Sequence, residues 1–131
     1  MISTSRPDGW ISPRRVVRRR GGVGDAVTDD VQLLCDAGPY QLDLLVRVHP
    51  ARGEFDLLGQ VTLGGSIYRP VAGLELTMVE AGDRREAACT KTDDFGEFDL
   101  MSGDARLVYG LRVGHGAEAP CALVWDGDAR D

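Results

Sequence analysis

The sequence has 131 residues, 43% of them apolar, enough for one domain with its own core and too few for two. Its net charge is −6, split into a net +2 over residues 1–30 and a net −8 over the remainder. An acidic body repels phosphate, which leaves nucleic acid only the basic N-terminal stretch as a point of contact.

In chain order, residues 1–24 combine Ser, Pro, Gly and Arg without apolar periodicity, and the expectation is a disordered, Arg-rich tail. Residues 25–39 follow as a short helix or linker. Ala26, Val27, Asp30, Val31 and Leu34 recur near helical spacing, and Gly38 can end a helix at positive φ. From Tyr40 the period becomes two. Tyr40, Leu42, Leu44, Val46 and Val48 share one face of a strand, with Gln41, Asp43 and Arg47 on the other. Pro50 and Gly53 mark a turn. Leu57, Val61 and Leu63 then alternate with polar residues, and Leu74, Leu76 and Met78 do so again after the loop "GSIYRPVAG". "REAACTKT" reads as a strand on the strength of Thr90 and Thr92. "EFDLM", "ARLVYGLRV" and "PCALVWD" complete the series, the last placing Cys121, Leu123 and Trp125 on one face. The gaps are too short for crossover helices. The expected fold is therefore all-β, an antiparallel seven-stranded sandwich over residues 40–131.

Four segments, in order, carry a family resemblance. They are "LLGQV" with Gly59 and Val61, "RPVAG" with Pro70, Val71 and Gly73, "TDDFGEF" with Thr92, Asp93, Gly96 and Phe98, and "YGLRV" with Tyr109, Leu111 and Val113. Over about residues 55–114 the chain resembles the carboxypeptidase regulatory-like domain, a transthyretin-like (prealbumin-like) β-sandwich related in shape to immunoglobulin folds. The resemblance implies a non-catalytic accessory module, here in a stand-alone bacterial form.

The densest chemistry lies in "TDDFGEF". A calcium site needs six to eight oxygens around one point, and this stretch lacks the acidic ladder of an EF-hand. A structural turn needs less: Asp93 accepts backbone N–H groups, Gly96 takes a φ that other residues avoid, and a phenylalanine plugs the end of the sandwich. His49 and His115 have no local third ligand for zinc. No serine sits in a nucleophile elbow and no glycine pair precedes a phosphate-loop lysine. Cys35, Cys89 and Cys121 are odd in number and widely spaced, as in a reduced cytoplasmic protein. No export signal and no membrane span is expected, and no cofactor or catalytic residue is assigned. A transthyretin-shaped ureide hydrolase ends in Tyr-Arg-Gly-Ser, whereas this sequence ends "WDGDARD".

What remains is binding. Arg14, Arg15, Arg18, Arg19 and Arg20 place five guanidiniums in seven positions, suited to an acidic surface or phosphate. The same arginines can instead fold against the acidic body. Leu45 and Leu58 fall on outward positions, where together they either form an apolar patch for a partner or for self-association or are covered by residues 25–37, while sheet edges accept a further strand. The expected function is a non-enzymatic module that holds a protein partner through a sheet face or edge, helped by the basic tail. The alternative is carbohydrate or peptide binding by loops at one end of the sandwich, with Tyr68 as the best-placed aromatic.

Overall fold

The computed structural model describes residues 9–22, 27–65, 68–116 and 118–127, with the backbone alone at 17, 18, 101 and 102. The described residues form nine strands and no helix: β1 (Arg14–Gly21), β2 (Thr28–Ala37), β3 (Tyr40–His49), β4 (Glu54–Leu63), β5 (Glu75–Glu80), β6 (Glu86–Lys91), β7 (Glu97–Asp104), β8 (Val108–Val113) and β9 (Cys121–Asp126). They build two antiparallel sheets, a five-stranded one in the order β1-β2-β3-β4-β7 and a four-stranded one in the order β6-β5-β8-β9.

The two sheets share one core. Val31, Leu33 and Cys35 from β2, Leu42, Leu44, Val46 and Val48 from β3, and Phe55, Leu57 and Val61 from β4 are buried against Leu76, Met78, Leu111, Val113, Ala122 and Val124 of the other sheet. The alternation read in β3 sets this arrangement, because a period of two gives each strand one wet and one dry face. At one end Phe55, fully buried, meets Tyr109 edge-on at 5.3 Å between ring centroids and stacks on Trp125 at 5.5 Å. Such aromatic pairs add about 0.5–1.5 kcal/mol beyond the area they bury. In β9 the phase differs from the expected one. Ala122 and Val124 point into the core, while Cys121, Leu123 and Trp125 are half-buried.

Two expectations are corrected. Residues 28–37 are not a helix but strand β2, whose alternating Val31, Leu33, Cys35 and Ala37 face the core. Gly38 does adopt positive φ, at 63°, but as the first corner of a two-residue hairpin with Pro39 that places Ala37 opposite Tyr40. Glycine at that corner is what tight hairpins of this length require. The second correction concerns the arginine-rich stretch. Residues 14–21 are not a free tail but an edge strand, antiparallel to β2, with Arg19 opposite Asp30 and Arg20 opposite Asp29. The rest of the expected tail, residues 1–8 and 23–24, lies outside the described residues. These two additional strands raise the count from the seven expected to nine.

The N-terminal stretch also touches the other sheet. Ile11 donates its N–H to the Cys121 carbonyl at 2.8 Å and accepts from the Leu123 N–H at 2.8 Å, a parallel bridge along the β9 edge. Trp10 lies on the outer face of β8 over Gly110, where a β-carbon would meet its ring at 2.6 Å. Among the described residues no helix is long and apolar enough to cross a membrane.

Candidate functional site: the outer face of the five-stranded sheet

Register decides what the outer face of the larger sheet presents. Across it, Gln32 of β2 stands opposite Leu45 of β3, Leu45 opposite Leu58 of β4, and Leu58 opposite Asp99 of β7. The next row runs Leu34, Asp43, Gln60, Glu97. Leu45 and Leu58, singled out from the alternation alone, are thus direct cross-strand neighbours. Both are half-buried, and they form the floor of a groove of about 750 Å³. One wall is Asp43, which accepts the Gln32 amide at 2.9 Å. The other is Asp93, Glu97 and Asp99 with Thr90 and Lys91 from the end of β6.

The wall at β7 depends on the turn that precedes it. The Oδ1 of Asp93 accepts the N–H groups of Phe95 and Glu97, each at 2.9 Å, and the Asp93 carbonyl accepts from Gly96 at 3.0 Å. Thr92, buried, donates its hydroxyl to the Val71 carbonyl at 2.5 Å and accepts the Leu74 N–H at 2.9 Å. Gly96 sits at φ 75°, and a β-carbon there would lie 2.4 Å from the Val61 carbonyl oxygen. Only glycine fits both that dihedral and that approach. Phe98 turns into the core, whereas Phe95 stays exposed. The four residues expected to build the corner, Thr92, Asp93, Gly96 and Phe98, therefore meet in it. With one Asp93 oxygen committed to backbone donors, the segment acts as a fold-forming corner that sets the position of Glu97 and Asp99.

Tyr68 lies beside the same groove, 64% exposed, with Phe95 at 67%. The Gln60 amide joins them, donating to the Tyr68 hydroxyl and, at 2.9 Å, to the Phe95 carbonyl. Sequence reasoning named Tyr68 and missed its link to the Phe95 backbone, which runs through Gln60, eight residues from one and thirty-five from the other.

The arginines stay apart from the groove. Arg14 and Arg15 stand opposite Leu34 and Leu33, Arg18 opposite Val31, and the side chains of Arg14, Arg15, Arg19 and Arg20 are exposed. Arg20 reaches Asp29 at 3.9 Å, and on the next strand Arg47 grips Asp30 with two bonds of 3.0 and 3.1 Å. One edge of the sheet is therefore basic, while the groove near the other edge is acidic.

The remaining titratable groups are scattered. His49 contacts Asp56 at 2.9 Å and His115 contacts Glu75 at 2.7 Å, on different sheets. Hydrogen bonding from His115 holds the Glu75 carboxyl below its ordinary range. Burial pushes the Cys121 thiol up to about 11, and also raises Cys35. All three cysteines are free, and among the described residues no three His, Cys, Asp or Glu side chains gather as a metal site. Comparison with family models, with curated proteins and with solved structures finds no match for this chain.

Proposed function

We propose that the protein is a non-enzymatic interaction module that binds a protein partner on the outer face of its five-stranded sheet. The observation that carries this reading is the register pairing of Leu45 with Leu58 on the floor of the groove. Cross-strand aliphatic pairs on a solvent face gain stability when a partner covers them, and they cost solubility when nothing does. The basic edge strand β1 supplies a second contact and electrostatic reach toward an acidic surface. The resemblance to the carboxypeptidase regulatory-like domain supports the same reading. Its four motifs fall in β4, in the loop at 70–73, in the corner at 92–98 and in β8, all inside one sandwich. Free thiols on three different strands fit a cytoplasmic setting.

A second reading has its own observation. Tyr68 and Phe95 are both exposed on loops and are both held by the Gln60 amide, Tyr68 through its hydroxyl and Phe95 through its backbone carbonyl, which offers two aromatic side chains to a sugar ring or peptide side chain.

The test is affinity capture from cell extract with three full-length proteins: the natural sequence, Leu58→Lys, and a triple Arg14→Ser, Arg15→Ser, Arg19→Ser variant. Substitution is preferable to deletion, because removing residues 1–24 removes an edge strand. Loss of specific partners with Leu58→Lys and weaker capture by the triple variant are expected. Identical capture by all three refutes the face as the binding surface.

A further inference from the structure

The geometry points to a specific kind of occupant for the groove: an extended polypeptide segment with one aliphatic side chain flanked, two residues away on each side, by arginine or lysine. This inference rests on the reading of that face as an interaction surface.

The charges are lopsided. Four carboxylates, Asp43, Asp93, Glu97 and Asp99, line the groove against the single ammonium of Lys91 among the described lining residues. Asp43, Glu97 and Asp99 have no cationic partner among the described residues, although arginine is plentiful elsewhere on this sheet. Unpaired acids around an apolar floor repel acidic segments and attract basic ones. The floor, for its part, asks for an aliphatic group, since Leu45 and Leu58 adjoin directly.

The spacing fits an extended chain. Strands lie about 4.8 Å apart, so the midpoint of the Leu45–Leu58 pair is about 7 Å from Asp99. Asp43 lies two residues from Leu45 along β3, again about 7 Å. Alternate side chains of an extended segment are separated by about the same distance. A segment laid across the strands with its aliphatic residue over the leucines places one basic neighbour over Asp99, beside Glu97, and the other over Gln32, whose amide is bonded to Asp43 at 2.9 Å, so that the long side chain of an arginine or lysine there reaches the Asp43 carboxylate. A segment of this length crosses the four strands from Gln32 to Asp99, a span of about 14 Å.

The probe is the capped peptide Gly-Arg-Ser-Leu-Ser-Arg-Gly, titrated into the full-length protein and followed by amide chemical shifts. Saturable shifts at Leu45, Leu58, Gly59 and Asp99 are expected. Replacing the arginines of the peptide by glutamate abolishes binding, and replacing its leucine by serine weakens it. The protein variants Glu97→Gln and Asp99→Asn are near-isosteric changes at exposed positions, and together they weaken binding about five- to tenfold. Glu118→Gln, in an exposed loop away from the groove, leaves it unchanged. Three results overturn the inference: equal affinity for the glutamate peptide; equal affinity for spermidine with no effect of the leucine-to-serine change, which means that charge alone binds; or peptide-free, concentration-dependent doubling of mass with the same amides shifted, which assigns the groove to a second copy. If the peptide fails while Leu58→Lys still abolishes partner capture, the choice of occupant is wrong and the interaction surface stands. If Leu58→Lys leaves capture intact, the surface itself is wrong.

Discussion

The corner at Gly96 allows the fold argument to be tested with two alanines. At φ 75°, an alanine carries the left-handed penalty of about 1–2 kcal/mol. Its β-carbon would also lie 2.4 Å from the Val61 carbonyl oxygen, 3.1 Å from the Val71 nitrogen and 3.3 Å from Pro70. Two of these are backbone atoms, and the Val71 N–H itself donates to that carbonyl at 3.0 Å, so relief of the clash must break or stretch a backbone bond. An exposed-to-solvent bond would cost little, but this one lies beneath the corner, and a lost buried bond adds about 1–3 kcal/mol. Gly96→Ala should therefore destabilise by about 3–4 kcal/mol, a large share of the roughly 5–15 kcal/mol that holds a domain together. Gly53→Ala is the control: φ is 64°, and nothing lies within 4 Å of its β-carbon, so only the dihedral cost of about 1–2 kcal/mol applies. Urea unfolding followed by tryptophan fluorescence measures both. With a slope of about 1.5 kcal/mol/M, Gly96→Ala should lower the midpoint by about 2 M and Gly53→Ala by about 1 M, with slopes unchanged. Equal losses in the two variants would show that the corner does not pack as described.

Three further outcomes follow from the same geometry. Thr92→Val keeps shape but leaves the Val71 carbonyl and Leu74 N–H without their partner, and should cost about 2–3 kcal/mol in the same urea assay. At pH 8, iodoacetamide should modify the exposed Cys89 well before Cys121 and Cys35, whose thiols burial keeps protonated; peptide mapping with time reads the order, and equal rates would contradict the packing of β2 and β9. The Asp104 carboxyl is held below its ordinary range by two bonds from the Arg106 guanidinium and one from the Arg106 backbone N–H. Its folded value lies below its unfolded one, so its contribution is present above about pH 4 and is lost as pH falls through the folded value. Melting temperatures between pH 5 and pH 2.5 should therefore fall less steeply for Asp104→Asn than for the natural sequence.

Much of the architecture is legible in the sequence wherever one face of a strand is clearly wetter than the other. Leu42, Leu44, Val46 and Val48 against Gln41, Asp43 and Arg47 fix β3 and, with it, the outward placement of Leu45. Legibility fails where a strand is defined by its neighbour. In β1 the arginines have no apolar rhythm; they become a strand because β2 offers an open edge with Asp29 and Asp30 in register. In β2 two readings compete, since Val31 and Leu34 fit a helix as well as Val31, Leu33, Cys35 and Ala37 fit a strand, and only pairing with β3 decides. In β9 both faces are apolar, so the phase that puts Ala122 and Val124 inward is set by packing. For the groove, the leucine pair is visible locally, while its acidic wall depends on β7 lying beside β4, a pairing between residues about forty positions apart.

The crossing made by residues 11–21 has a consequence for handling the molecule. Ile11 is hydrogen-bonded to β9 of one sheet and Arg14–Gly21 to β2 of the other, so a single continuous ribbon ties the two sheets along one side and leaves the Arg-rich β1 as the outer edge of the larger one. Proteolytic nicking or trimming upstream of β2 would cut that tie and exchange the charged outer strand for the bare edge of β2, a row of unmet N–H and C=O groups with fewer charges to keep other chains from zipping onto it.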